Sequence, residues 1–192
     1  MLYSHLTPFT DQTIPLLICE LPRKPSYHEQ RIISHDFIQY LLASSGIDYP
    51  INIGRTNYGK PQLRFAKKSL NFNISHSENI TVGVTHCLPV GIDVEAKDRR
   101  TSLVDEYLFH EFFKSKPEAS RAFELNTFIE LWTIKEAVLK ASGYGLWGGL
   151  KNILVKMQNR NHGYAYFGSQ KYQVNLSTLG RFSVAMAILM DS

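Results

Sequence analysis

Apolar residues recur every three to four positions over residues 26–45, which is typical of an amphipathic helix. Ser26 is a suitable residue to cap the start of this helix, and Glu29 follows it at the spacing of a capping box. Gly46 ends the pattern. The sequence therefore predicts one main helix in the first half of the chain.

The second half of the chain predicts another long helix, from about residue 117 to residue 142. Glycines from Gly143 onward end it, since glycine commonly follows the last turn of a helix. The region 102–116 also has a helical pattern. We therefore expect the main helix of the second half to lie before a glycine-rich turn.

The remaining apolar segments are short and have the pattern of strands. Ile80, Val82 and Val84 alternate with other residues, which is typical of a strand buried on one face. The segment 181–189 is almost continuously apolar and is therefore predicted to be a central strand. The predicted strands are residues 16–19, 71–75, 80–86, 90–95, 152–157, 164–167, 172–176 and 181–189.

Each half of the chain thus contains one main helix and several strands, although no sequence repeat is visible. We expect an α+β fold made of a pseudo-two-fold pair of similar α+β halves, each a small sheet with a main helix. The boundary is predicted just after Glu95, which gives an N-terminal half of residues 1–96 and a C-terminal half of residues 97–192.

Composition adds a mild preference for an anionic partner. Of the 192 residues, 44% are hydrophobic and 20% are charged, as in ordinary globular proteins. The 21 basic and 17 acidic residues leave a small positive charge. A polyphosphate ligand, an acidic protein and a nucleic acid are all compatible with that charge, but no basic run is long enough to indicate a nucleic-acid-binding arm.

Cys19 and Cys87 are the two cysteines, and both lie in apolar stretches. We expect them to be buried free thiols in a reducing compartment. The N-terminus has no charged region before an apolar core, and residues 14–19 are too short to span a membrane. A cytoplasmic protein without membrane contact is therefore expected.

Four residues in two segments carry the most informative chemistry. Asp93 and Glu95 are two apart in an apolar run, so on a strand they point to the same face. Glu136 and Lys140 are four apart and share one face of the second long helix. A third carboxylate joining the first two would form an oxygen site of the kind that Mg²⁺ takes beside substrate phosphates. A solvated strand face and a surface ion pair are the simpler interpretations.

Ser75, His76 and Ser77 follow an apolar strand and offer hydroxyl, imidazole and backbone N–H groups for phosphate oxygens. Because adjacent residues point to opposite faces of a strand, a catalytic Ser–His dyad is disfavoured. Tyr58-Gly59-Lys60-Pro61 is a turn that could place its backbone against a planar base while Lys60 meets a phosphate. Each of these residues has an ordinary structural role as its alternative.

Taken in order, four segments resemble the signatures of the Sfp-type 4′-phosphopantetheinyl transferases of the holo-acyl-carrier-protein synthase superfamily. The segments are Tyr58-Gly59-Lys60-Pro61, Phe72-Asn73-Ile74-Ser75-His76-Ser77, Gly91-Ile92-Asp93-Val94-Glu95 and the run from Leu131 to Leu146. The resemblance implies transfer of the phosphopantetheine arm of coenzyme A to a serine of an apo acyl, peptidyl or aryl carrier protein. It also implies two α+β halves in a monomer, with coenzyme A in the cleft between them.

The resemblance also implies roles for individual residues. Glu136, or a water that it orients, would be the base for the carrier serine. Lys140 would stabilise charge on the diphosphate, with Lys135 in support. The remaining implied positions are the Mg²⁺ ligands Asp93, Glu95 and Glu136, the phosphate contacts Ser75 and His76, the 3′-phosphate pair His76 and Arg31, and the adenine contacts Gly59, Lys60 and Pro61.

Two other functions remain open from the residues alone. Another Mg²⁺-dependent phosphoryl or nucleotidyl transferase could use the same three acids. A basic nucleic-acid-binding module would instead carry phosphate-facing lysines on an open sheet. Since the acids at the centre of this chain would repel a nucleic-acid backbone, we expect no nucleic-acid partner. Glu78, an acid next to the predicted phosphate contacts, has no explanation in the sequence.

Overall fold

The structure is a computed structural model that describes residues 2–6, 16–47, 50–63, 70–98, 112–113 and 124–190. Most of the predicted helical region 102–116, and residues 117–123 of the predicted long helix, lie outside the described residues. The elements are β1 (Leu2–Leu6), β2 (Leu16–Glu20), α1 (Tyr27–Ser44), β3 (Ile53–Arg55), β4 (Pro61–Leu63), β5 (Asn71–Ser77), β6 (Ile80–His86), β7 (Val90–Ala96), α2 (Phe128–Ser142), β8 (Ile153–Met157), β9 (His162–Phe167), β10 (Gln170–Leu179) and β11 (Phe182–Leu189).

These elements form four layers in the order α1, N-terminal sheet, C-terminal sheet, α2. The N-terminal sheet has the strand order β1-β2-β6-β5, and the C-terminal sheet has the order β7-β11-β10-β9-β8. Every pairing is antiparallel, and β3 pairs with β4 as a separate hairpin. The predicted α+β class is confirmed, whereas a pseudo-two-fold relation between the halves stays a prediction.

The two sheets pack face to face through an apolar layer. Ile80, Val82 and Val84 of β6 lie in the same core cluster as apolar residues of β7 and β11. The opposite face of the N-terminal sheet is covered by α1 through Phe37 and Leu41. The prediction that β6 is buried on one face was therefore wrong, because a helix and a second sheet cover its two faces. Strand β11 lies inside its sheet and is almost wholly buried, as predicted.

Helix α1 starts as the sequence predicts, with Ser26 and Glu29 forming a capping box. Helix α2 starts at Phe128, so the predicted helix was wrong over residues 124–127. The physical reason is a second capping box, in which Thr127 accepts from the Glu130 amide and the Glu130 carboxylate accepts from the Thr127 amide. Gly143 ends α2 in the left-handed conformation, with φ 81°.

Strand β7 precedes the predicted boundary but belongs to the C-terminal sheet, where it pairs with β11 from Ala96 opposite Phe182 to Val90 opposite Ile188. The division of the chain at residue 96 stays a prediction. Strand β1, which pairs with β2, was not predicted. Cys19 is buried as expected, but Cys87 is exposed, because it lies at the turn that leaves β6.

Within the described ranges, neither long helix is apolar over enough residues to cross a bilayer.

Candidate functional site

Two edge strands, β5 of the N-terminal sheet and β7 of the C-terminal sheet, lie side by side and are joined through side chains. Every second residue of β5 is polar here, so these side chains point in one direction. The contacts are Asn73 Oδ1 accepting from the Ile92 amide at 2.9 Å, Ser75 Oγ donating to Asp93 Oδ1 at 2.8 Å, and Ser77 Oγ donating to Glu95 Oε2 at 3.4 Å. We call Asn73, Ser75, Ser77, Asp93 and Glu95 the polar seam.

Lys140, in the last turn of α2, completes a cluster at the middle of the seam. Its Nζ donates to Asp93 Oδ1 at 2.6 Å and to Ser75 Oγ at 2.7 Å. The Lys140 side chain is 27% exposed, whereas that of Asp93 is 6% exposed. Two sheets and a helix therefore meet at one ion pair, and the cationic partner keeps access to solvent.

Gly91 explains why α2 lies close enough to β7 for this contact. A Cβ at Gly91 would overlap backbone atoms of Ala137 and Ala141. The absence of a side chain at residue 91 therefore allows the helix backbone to rest directly on the strand. Lys140 precedes Ala141, so this contact point sets the position of its side chain above Asp93.

The carboxylates fit a hard divalent cation in chemistry, although they are not arranged as a complete site. Asp93 Oδ2 is buried and has no hydrogen-bond partner among the described residues. A cation bound there would supply that partner, since Mg²⁺ takes carboxylate oxygens. Glu95 accepts from Ser77, and Glu136 is half-buried one turn before Lys140. In the part of the chain that the structure describes, no three His, Cys, Asp or Glu residues are grouped to hold a metal.

His76 lies on the face of β5 opposite to Ser75. It pairs with Thr81, whose Oγ1 accepts from Gln30 Nε2 of α1 at 3.3 Å. Arg31, the residue after Gln30, is exposed at this end of α1. His76 and Arg31 are therefore brought to the same side of the N-terminal sheet. Since Ser75 points to the other side, the two neighbours do not form a Ser–His dyad.

The surroundings of the His76 imidazole favour its neutral form over its charged form. Burial of part of the ring lowers the pKa of His76, the Lys140 ammonium lowers it further, and the Asp93 carboxylate opposes both effects. The ring therefore senses the charges of the cluster across β5. A neutral imidazole can donate one hydrogen bond and accept another.

Lys60 contacts the backbone of β7 and of α2. Its Nζ donates to the carbonyl oxygens of Val90 at 3.2 Å and Ala141 at 3.3 Å. Burial lowers the pKa of Lys60 to about 8. Gly59, with φ 85°, turns the chain before it, and Pro61 begins β4. A phosphate or adenine contact of this loop stays a prediction.

Lys135 is not part of the cluster at Asp93. Its side chain is fully buried, and Nζ donates to the carbonyl oxygen of Phe112 at 2.5 Å. The ammonium also lies 4.4 Å and 4.8 Å from the ring centroids of Phe112 and Phe113. Its supporting role at a diphosphate stays a prediction that these contacts do not favour.

Sequence reasoning missed Asn73 as a site residue, and it considered Ser77 only as a phosphate contact and not as a partner of Glu95. The signal was present, because Asn73, Ser75 and Ser77 alternate along one strand just as Asp93 and Glu95 alternate along another. Pairing the two patterns required knowing that these edge strands are neighbours.

Glu78, which had no explanation in the sequence, lies beyond the end of the seam. It forms an ion pair with Arg181 of the β10–β11 turn, and Arg181 also bonds Asp98 at 2.9 Å. These contacts link the turns at one end of the two sheets. A cavity of about 380 Å³ opens beside them, where Arg23 and Lys24 before α1 also contribute to the lining.

Comparison with known proteins gives a family match and several relatives. Residues 89–187 match the model of the 4′-phosphopantetheinyl transferase superfamily. The chain is 32% identical over 126 residues to the 4′-phosphopantetheinyl transferase gsp of Aneurinibacillus migulanus, which covers 64% of this chain and 50% of that protein. It is 30% identical over 125 residues to the 4′-phosphopantetheinyl transferase Sfp of Bacillus subtilis, covering 62% and 51%.

A third relative is the 4′-phosphopantetheinyl transferase HetI of a Nostoc strain, 37% identical over 100 residues, which covers 46% of this chain and 40% of that protein. The chain thus spans about half the length of these relatives or less. The matched region 89–187 contains β7, α2, β8 to β10 and most of β11. It therefore contains Asp93, Glu95, Glu136 and Lys140. The chain belongs to the 4′-phosphopantetheinyl transferase superfamily.

Proposed function

We propose that this protein transfers the 4′-phosphopantetheine group of coenzyme A to a serine of an apo carrier protein and releases adenosine 3′,5′-bisphosphate. The observation that carries the proposal is the cluster of Ser75, Asp93 and Lys140, in which a partly exposed ammonium is held beside a buried carboxylate. Membership of the superfamily supports it. The proposed setting is the cytoplasm, with the protein acting as a monomer.

In this proposal Lys140 binds the diphosphate of coenzyme A. Asp93 and Ser75 hold the Lys140 ammonium in one position, while its exposed side faces the substrate. A charge fixed in advance stabilises the negative charge that develops on the leaving phosphate without reorganising during the reaction. Asp93 and Ser75 would thus act on the substrate through Lys140. In addition, Asp93 would be a metal ligand and Ser75 a phosphate contact.

Asp93, Glu95 and Glu136 would hold the metal ion, and Mg²⁺ is the expected one. When bound, the ion would neutralise charge on the diphosphate oxygens. The buried Oδ2 of Asp93 supports this assignment, since it has no other partner among the described residues. The carboxylate set supports a hard cation over a softer one.

The carrier serine attacks the β-phosphorus of coenzyme A, and the bond between that phosphorus and the bridging oxygen breaks. The serine proton passes to Glu136 or to a water that Glu136 orients. Glu136 is placed for this role one helical turn before Lys140, on the same face of α2. The electron pair of the broken bond leaves with adenosine 3′,5′-bisphosphate, whose charge Lys140 stabilises.

The nucleotide end of coenzyme A is assigned to the N-terminal half. His76 and Arg31 would bind the 3′-phosphate, and their placement on one side of the N-terminal sheet supports this pairing. Gly59, Lys60 and Pro61 would lie along the adenine. The proposed carrier is an acyl, peptidyl or aryl carrier protein.

The test is a change in mass. The protein is incubated with coenzyme A, Mg²⁺ and each of several apo carriers, and the carriers are analysed by intact-mass spectrometry. The expected result is a carrier heavier by one phosphopantetheine group, and absence of the adduct on all carriers would overturn the proposal. Asp93→Asn should abolish transfer, whereas the matched Asp98→Asn, which changes an exposed acid, should not.

A further inference from the structure

The hairpin β3–β4, with its turn at residues 56–60, joins the two halves of the molecule. Its base belongs to the N-terminal half, because Ile53 and Leu63 pack against the core beneath α1. Its tip reaches the start of β7 and the end of α2, where Lys60 bonds the carbonyl oxygens of Val90 and Ala141. The hairpin is therefore anchored in one half and attached by its tip to the other.

Side-chain and backbone atoms at the tip of the hairpin lie against the residues that follow α2. The rings of Tyr58 and Tyr144 lie 5.3 Å apart between centroids. If Gly143 carried a Cβ, that atom would lie 3.9 Å from Cδ of Lys60. A Cβ at Gly145 would lie 3.9 Å from the carbonyl oxygen of Tyr58. The tip thus lies against residues 143–145, at the start of the turn that follows the helix.

The Lys60 ammonium satisfies backbone groups that the secondary structure leaves open. Ala141 is in the last turn of α2, where carbonyl oxygens have no partner within the helix. A cation at this end of a helix is also favoured by the helix dipole. Val90 begins β7, which is an edge strand of its sheet. One ammonium therefore ties β7 and α2 to each other and to the hairpin.

We propose that Lys60 is a positioning residue that clasps the hairpin to the C-terminal end of α2 and thereby holds Lys140 at its place beside Asp93. Lys140 immediately precedes Ala141, so a displacement of the Ala141 carbonyl moves the Lys140 backbone with it. This differs from a role in which Lys60 serves only to bind a phosphate. The catalytic part of the inference rests on the proposed transferase function, whereas the clasp itself does not.

The structural part is tested on the protein without substrate. Lys60→Met keeps most of the side-chain volume and removes the ammonium. Hydrogen exchange of the backbone amides in residues 56–60 and 141–145 should become faster in this variant, with little change in β9 and β10. Unchanged exchange in both segments would overturn the clasp. This measurement does not depend on activity, so it stands even if no carrier is modified.

The catalytic part is tested by comparing coenzyme A with 3′-dephospho-coenzyme A. If Lys60 positions Lys140, Lys60→Met should lower kcat roughly 10-fold with both substrates, since small misplacements of a catalytic group are costly. A loss confined to coenzyme A, seen as a higher KM with unchanged kcat, would overturn the inference in favour of a direct 3′-phosphate contact. Lys60→Arg, which can still donate to two carbonyls, should recover part of kcat.

Two further variants guard against a misfolded protein. Lys156→Met changes an exposed lysine on β8 and should leave exchange and kcat at wild-type values. Tyr144→Ala removes the ring contact of the same tip while leaving Lys60 in place, and should raise exchange in residues 56–60 to a smaller extent. If Lys60→Met does not fold, a Tyr144→Ala variant without such an increase would contradict the clasp.

Discussion

Helix α2 carries two lysines that lie in very different surroundings. Lys140 is partly exposed and bonds a carboxylate and a hydroxyl, whereas Lys135 is fully buried and bonds a backbone carbonyl beneath two aromatic rings. Five residues along a helix turn a side chain by about 140°. Lys140 therefore faces the polar seam, and Lys135 faces the aromatic cluster at Phe112.

The difference shows that neighbours decide the role of a residue within a motif. The resemblance implied that both lysines act on the diphosphate, because both belong to one signature. The structure places only Lys140 beside the buried Asp93 carboxylate, with a side of the ammonium left to solvent. We therefore expect substitution of Lys140 to lower catalysis and substitution of Lys135 to lower stability.

The largest expected effect is the loss of activity in Lys140→Met. Removal of a preorganised charge at a developing anion costs about 100- to 1,000-fold in kcat. The measurement is the single-turnover rate of carrier modification at saturating coenzyme A. Lys156→Met provides the matched control, since it removes an exposed lysine outside the seam. A Lys140→Met variant with kcat within a factor of two of the wild type would place the diphosphate elsewhere.

The next effect concerns the contact that positions both lysines. Gly91→Ala should lower the free energy of unfolding by about 3 kcal/mol, because the new methyl group forces α2 away from β7. Chemical denaturation measures this change. Gly168→Ala is the control for backbone strain alone, since Gly168 has φ 59° and open space around it, and it should cost about 1 kcal/mol. A loss in Gly91→Ala no larger than that in Gly168→Ala would contradict a tight contact between α2 and β7.

Lys135→Met should have a smaller effect, and this effect should be on stability and not on catalysis. The substitution leaves the buried Phe112 carbonyl without its lysine donor, which costs roughly 2 kcal/mol of unfolding free energy. The remaining folded protein should keep its KM for coenzyme A. Denaturation curves and steady-state kinetics are measured on the same preparation. A variant of normal stability with a raised KM would instead support the diphosphate contact implied by the resemblance.

Local features of this fold were predictable from the sequence. The capping box at Ser26 and Glu29 involves residues three apart, and the shared face of Asp93 and Glu95 depends only on strand periodicity. Such features depend on residues that are close in the sequence, so a sequence pattern can predict them. The assignment of Asp93 and Lys140 to one site came from the resemblance, and the structure brings these two side chains together.

Features that depend on the choice of distant partners were not predictable. Strand β7 pairs with β11 across about half of the chain, and Lys60 reaches a carbonyl 81 residues away. The burial of Lys135 depends on Phe112, which lies 23 residues earlier. Both faces of β6 are buried because two separate layers cover it. Spacing within a segment contains no information about which segment will cover it.

The smallest expected effect is a change in the titration of His76 when Lys140 is replaced. The Lys140 ammonium helps to lower the pKa of His76, so Lys140→Met should raise this pKa, and Asp93→Asn should lower it further. The folded protein binds fewer protons at His76 than the unfolded chain does, so stability falls as the pH drops below about 6.5. Because Lys140→Met should raise the pKa of His76, this variant should lose less stability on acidification. NMR titration of the His76 ring protons measures the pKa directly in the wild type and in both variants. An unchanged His76 titration in both variants would mean that the charges at Asp93 and Lys140 do not reach across β5, and that the seam and the predicted 3′-phosphate contact are electrostatically independent.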